Sequence, residues 1–131
     1  MYEKAIELLT ALGLTDADED PVLPIIRDAV TESLRNKTNQ TKLPKELTMT
    51  GAYRIAGQYL QLQKNSGRLT ELNGADLESS AIKQIQEGDT NVVFGIGSGD
   101  MTPQQKLDVL ISWMLNYGER ELHRHRRLVW D

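Results

Sequence analysis

Few residue types in this chain could support catalysis. A glycine-rich loop, Gly95–Gly99, follows a segment with strand preference and precedes a helix start, as phosphate-binding loops do. Its spacing does not match GxGxxG, and no Gly-Lys-Ser/Thr sequence follows it. The predicted helix begins only at Pro103, so the glycines do not adjoin its free backbone amides. We therefore do not expect a nucleotide to bind here.

The other candidate groups are isolated in the sequence. His123 and His125 are the only histidines, and on a helix residues i and i+2 point to different sides, so they do not share a metal-binding face. A cationic helix end of this kind complements the helix dipole. Ser79 and Ser80 have no local base, and the absence of cysteine excludes disulfides, thiolate metal sites and cysteine nucleophiles. We predict no catalytic, metal-binding or cofactor-binding residues, and a protein that is not an enzyme.

Composition narrows the function further. The 131 residues fit one domain, which we predict to span 1–131. The formal net charge of -4 argues against a dedicated nucleic-acid binder, which usually has a basic footprint. The charge is uneven, because Asp16–Asp20 is acidic and Arg120–Arg127 is basic. This asymmetry either helps subunits to orient against each other or reflects solvated chain ends.

Neither a signal peptide nor a membrane span is expected. The N-terminal segment carries charged residues within its first turns, and its apolar residues have the spacing of an amphipathic helix. No stretch is long and apolar enough to span a bilayer. We expect the protein in the cytoplasm or in a particle that is assembled there.

Helical patterns with recognisable ends cover most of the chain. Asp20 and Pro21 open the second helix, as N-cap and first helical residue. Thr102 and Pro103 open the last helix in the same way, with a capping-box glutamine following. The predicted helices are 2–12, about 20–36, 45 or 49 to 64, and 102 to about 127.

The last predicted helix is apolar on two sides. Its first stripe contains Leu107, Leu110, Ile111, Met114, Leu115 and Leu122, and its second contains Val109, Trp113 and Tyr117. Such a helix needs two partners. One is the core, and the other is either a second subunit or another helix of the same chain. We favour the second subunit.

A small β-hairpin is predicted around Gly88-Asp89, with strands at 81–86 and 90–94. Because an isolated hairpin is marginally stable in water, it should pack on the helices or pair with a neighbouring subunit. The predicted fold is therefore mainly α: a bundle of about four helices with a long C-terminal helix and a small β-hairpin.

Four sets of segments follow one another along the chain: VLPIIRDAVTESLRNKTN after an aspartate-rich turn, LPKEL before YRIAGQYLQLQKNSG, AIKQIQEGDTNVVFG, and the terminal HRHRRLVW. The order of these parts resembles the head-to-tail connector family of tailed bacteriophages, also called adaptor or head completion proteins. Each segment is weak evidence alone, and the ordered set is the specific signal.

The resemblance implies a structural virion assembly protein that forms a ring beneath the portal, extends the DNA channel and joins head to tail. Its partners would be the portal protein, the next head-completion or tail protein, and copies of itself. Alone, the chain would be a monomer or a weak oligomer. DNA would be only a passing cargo, and the family implies no catalytic residues. The expected location is the bacterial cytoplasm during assembly and then the head–tail junction of the virion.

Two groups of residues are candidates for partner binding. The hypothesis is that the C-terminal group contacts the portal, since arginine and tryptophan are enriched at interface hot spots. The hairpin group would pair with a neighbouring subunit. The candidates are Arg120, Arg124, Arg126, Arg127 and Trp130 in the tail, and Val92 and Phe94 in the hairpin. The alternative is a small helical regulator that binds DNA or a protein through the same basic tail.

Overall fold

A computed structural model describes residues 1–14, 16–68 and 103–124, and these residues form five α-helices. The helices are α1 (Tyr2–Ala11), α2 (Val22–Thr38), α3 (Thr48–Asn65), α4 (Pro103–Leu115) and α5 (Glu119–Arg124), with short 3-10 turns at Ala17–Glu19 and Lys45–Leu47. The prediction of a mainly helical protein is confirmed. The predicted hairpin lies outside the described residues.

Helix α3 is the centre of the bundle, because it packs against α1, α2 and α4. Ala52 and Ala56 are fully buried, as small residues at a close helix contact should be. At Gly57 a Cβ atom would lie 2.9 Å from the Cβ of Met114, so α4 approaches the α3 backbone closely there. Every described helix contributes to the core, which includes Leu9, Leu23, Leu34, Ile55, Leu60, Leu110, Met114 and Leu122.

The start of α2 matches its sequence signal to within a residue. The Asp20 carboxylate accepts a hydrogen bond from the backbone N–H of Val22 at 3.0 Å, as an N-cap does. The helix continues to Thr38, two residues further than predicted, and closes at Asn39 with a positive φ of 55°. Asparagine tolerates this left-handed conformation better than most residues.

The prediction of one long C-terminal helix is wrong. Helix α4 ends at Leu115, and α5 begins at Glu119 after a turn in which Gly118 has a φ of 74°. Hydrophobic periodicity did not reveal this break, because Leu115 and Leu122 stay in helical register across it. The bend lets α5 contact α2 and leaves Leu122 only 3% exposed.

The second apolar stripe of α4 has a partner within the chain. The Tyr53 ring of α3 lies 5.3 Å from the Trp113 ring and 4.3 Å from the Tyr117 ring, centroid to centroid. Our preference for a second subunit is therefore wrong for Trp113 and Tyr117. Val109 is half-buried. Among the described helices, none has the length and hydropathy needed to cross a membrane.

Candidate functional site

The junction between α4 and α5 carries a pocket of about 520 Å³. Trp113 near the end of α4 and Tyr117 in the turn after it line one part of the pocket. Glu119, Arg120 and Glu121 at the start of α5 line another part. The pocket therefore combines aromatic surface with charges of both signs. The shape of the pocket depends on the angle between α4 and α5, and contacts with α3 fix that angle.

Arg54 of α3 holds the junction through two hydrogen bonds. Its side chain is 8% exposed, its Nε donates to the backbone oxygen of Tyr117 at 3.1 Å, and its Nη2 donates to Glu119 Oε2 at 2.8 Å. The first bond satisfies a carbonyl that the break in the helix leaves without its usual partner. The hydrogen bond from Arg54 holds the pKa of Glu119 below its usual value. Arg54 thus joins the end of α4 to the start of α5.

Gly118 and Thr50 make the same junction sterically tight. A Cβ atom at Gly118 would clash with the side-chain hydroxyl of Thr50 on α3. The positive φ of Gly118 is also one that residues with a Cβ adopt only at a cost. Glycine is therefore required here for two independent reasons.

The three rings of Tyr53, Trp113 and Tyr117 form one cluster beside this junction. Trp113 and Tyr117 meet nearly edge to face at 5.1 Å, a favourable geometry for aromatic pairs. Burial raises the pKa of Tyr53, and the neighbouring Tyr117 adds to this effect. The cluster fixes α4 against α3 on the side that we had assigned to another subunit.

The structure places only part of the predicted C-terminal site. Arg120 and Arg124 are exposed on α5, and Arg124 Nη1 lies 3.4 Å from Glu121 Oε1. His123 Nε2 lies 3.9 Å from Glu119 Oε1. Helix α5 therefore alternates positive and negative charge and is not uniformly basic. Arg126, Arg127 and Trp130, the hairpin residues Val92 and Phe94, the loop Gly95–Gly99 and His125 all lie outside the described residues.

A basic segment earlier in the chain, at the end of α2, was not predicted from the sequence. Arg35, Lys37, Lys42 and Lys45 are exposed at the end of α2 and in the following loop. None of them makes an ion pair within the described residues, although Lys37 is close enough to Glu119 to help lower its pKa. The available signal was the absence of any carboxylate between Glu32 and Glu46.

The buried polar groups serve the packing of helices. Thr38, Thr50, Arg54 and Gln63 are buried, and no buried side-chain nitrogen or oxygen in the described part of the chain lacks a hydrogen-bond partner. Within the same ranges no group of three or more histidine, aspartate and glutamate side chains is placed to hold a metal ion. The arrangement can fix helices and present charged surfaces.

Comparison with known proteins returned no match to a protein-family model, to a curated protein or to a solved structure. The function is therefore argued from the residues of this chain.

Proposed function

We propose that this chain is a structural assembly protein of a tailed bacteriophage, which forms a ring beneath the portal, extends the DNA channel and joins head to tail. The observation that carries the proposal is the ordered set of four sequence segments. The segment that opens with Val22 lies on α2, and the segment from Tyr53 to Gly67 lies on α3 and its end. Both segments are mainly helical.

The C-terminal junction supports the same proposal. Arg54 anchors α5 on the bundle, so Arg120 and Arg124 are presented from a fixed position on the surface. The portal-docking role assigned to the tail needs such a fixed starting point, since ordering a free segment costs conformational entropy. The carboxylates of Glu119 and Glu121 alternate with these arginines and would oppose DNA phosphates. This alternation favours a protein partner over the DNA-binding regulator.

The test is incorporation into heads that contain the portal but lack this chain. The full chain should join these heads, and a chain ending after Arg124 should not, although it keeps Leu122 and all of α5. The double variant Arg126→Ser with Arg127→Ser should be at least tenfold weaker in incorporation. The control Lys4→Ser removes an exposed positive charge on α1 and should incorporate normally.

Two results would contradict the proposal. The first is failure of the full chain to join such heads. The second is tight, strongly salt-dependent binding of the free chain to duplex DNA, which is what the regulator alternative requires. Normal incorporation of the truncated chain would remove the docking role of the tail alone.

A further inference from the structure

The end of α2 and the loop after it carry a concentration of positive charge. The basic segment, residues 35–45, contains Arg35, Lys37, Lys42 and Lys45 and no carboxylate. All four side chains are exposed, and none makes an ion pair with a described residue. Lys37 also lies close enough to Glu119 of α5 to help lower the pKa of that carboxyl. A surface patch of one charge sign can steer and orient a partner of the opposite sign.

The opposite end of α2 carries the matching negative charge. The acidic segment, residues 16–20, contains four carboxylates and no cation. Asp16, Asp18 and Glu19 are exposed and make no ion pair with a described residue. Asp20 instead bonds to the Val22 amide and to the Tyr59 hydroxyl. Arg68 lies close enough to this segment to help lower the pKa of Asp20.

The two segments cannot meet within one molecule. Helix α2 has 17 residues, so its ends lie about 25 Å apart at a rise of 1.5 Å per residue. The contacts with α3 agree: Tyr59, late in α3, donates to Asp20 at 2.9 Å, whereas Gly51, early in α3, lies beside Leu34. The acidic and basic segments thus occupy opposite ends of the α2–α3 pair.

The helix dipole explains only part of this arrangement. Negative charge at a helix N-terminus and positive charge at its C-terminus are stabilising, but the effect falls off within the first and last turns. Asp16 and Asp18 precede α2 by several residues, and Lys42 and Lys45 follow it by several residues. These four charges lie beyond the range in which the dipole of α2 accounts for them.

We propose that the basic segment is a docking surface for the acidic segment of a second copy of this chain. Because the two surfaces differ, the contact is head-to-tail, and repeating it gives a closed ring or an open filament. The use of this contact in a ring rests on the proposed function. The contact itself can be tested on the purified chain.

The contact should be weak in the isolated protein. Exposed ion pairs contribute little individually, and salt screens them over about 8 Å at physiological ionic strength. The expected behaviour is association at low ionic strength that is lost on adding salt. Light chemical cross-linking is therefore a better detector than the equilibrium mass of the protein.

The experiment is zero-length carbodiimide cross-linking of a mixture of ¹⁴N- and ¹⁵N-labelled full-length chains at low ionic strength. Such a reagent joins a lysine to a carboxylate only when the two are in contact. Mass spectrometry should find Lys42 or Lys45 joined to Asp16, Asp18 or Glu19, with the two isotopes mixed in the linked peptides. The yield of these links should fall at least fivefold at physiological salt.

Two variants give a sharper test. Lys42→Glu with Lys45→Glu cancels the net positive charge of the basic segment, and Asp16→Lys with Asp18→Lys cancels the net negative charge of the acidic segment. Each variant alone should lose the links between copies, and a mixture of the two should regain them. Lys4→Glu changes a charge on α1 and should leave the links unchanged. All five substituted positions are exposed, so each variant should remain helical. Circular dichroism checks this.

Three outcomes would overturn the inference. They are links with a single isotope composition, links from the basic segment mainly to other carboxylates, and failure of the mixed variants to restore association. None of these depends on portal-containing heads. Failure of the contact and failure of the proposed function are therefore separate results.

Discussion

Two corners of the bundle are both held by α3, yet only one is visible in the sequence. At the start of α2, Asp20 accepts hydrogen bonds from the Val22 amide and the Tyr59 hydroxyl. At the α4–α5 junction, Arg54 donates to the Tyr117 carbonyl and the Glu119 carboxylate. The first corner depends mainly on a bond between neighbours in sequence, whereas the second depends on residues more than sixty positions apart.

The two corners also differ in their surroundings. The carboxylate of Asp20 is only partly buried, whereas the Arg54 side chain is 8% exposed. Removing one partner of a buried polar contact leaves the other without compensation, and this costs more than losing an exposed cap. We therefore expect the Arg54 corner to be the more sensitive to substitution.

The largest effect is expected at Gly118. Gly118→Ala should destabilise the fold by about 3 kcal/mol, because it combines left-handed strain with overpacking against Thr50. Gly67→Ala is the matched control, since Gly67 has a φ of 79° with nothing within 4 Å of an added Cβ. It should cost about 1 kcal/mol from strain alone. Urea unfolding measures both, and equal costs would mean that Thr50 does not constrain the bend.

Substitution of Arg54 should have the next largest effect. Arg54→Met keeps the aliphatic part of the side chain but removes both hydrogen bonds, so it should cost about 2 kcal/mol. Arg35→Met removes an exposed arginine from α2 and should change stability by less than about 0.5 kcal/mol. A denaturation midpoint for Arg54→Met as high as that of the control would show that the guanidinium does not hold the junction.

The contribution of the Asp20 corner to the free energy of unfolding should change with pH in the acid and alkaline ranges and stay constant near neutral pH. The bonds from Val22 and Tyr59 lower the pKa of Asp20, so its contribution is present above pH 4 and is lost as pH falls through the lowered pKa. Burial and the bond to Asp20 raise the pKa of Tyr59 to about 12. Its contribution is present below pH 10, the ordinary value, and is lost as pH rises to about 12.

Thermal unfolding across this range compares the wild type with Tyr59→Phe. The variant should lose the alkaline part of the dependence and keep most of the acid part, since the Val22 amide still bonds to Asp20. Tyr2→Phe is the control, because Tyr2 lies on α1 beside Arg27 and is no part of this corner. If Tyr59→Phe loses stability at alkaline pH as the wild type does, groups other than Tyr59 cause that loss.

Local signals in the sequence were sufficient for the first three helices. The 3.6-residue spacing of apolar side chains located α1, α2 and α3, and the Asp20-Pro21 pair located the start of α2 to within a residue. These features depend on residues within a few positions of one another, so a sequence pattern can report them.

The residues of the candidate site were harder to predict from the sequence. Of the seven residues proposed to bind partners, the structure describes only Arg120 and Arg124, and both are exposed on α5. Arg54 was not singled out, because a lone arginine among apolar residues of a helix gives no sign of what it contacts. The basic segment 35–45 could have been recognised from its lack of carboxylates, but its separation from the acidic segment required the direction of α2.

The sequence by itself determined the helical class, the approximate bounds of α1, α2 and α3, and the start of α2 at Asp20. These follow from apolar periodicity and from hydrogen bonds between near neighbours in the chain. Only the tertiary structure decided where the last predicted helix bends and what Trp113 and Tyr117 pack against. Gly118 permits that bend, but the bend is stabilised by Arg54 and by the burial of Leu122, and these contacts exist only after α3 has packed against the C-terminal helices.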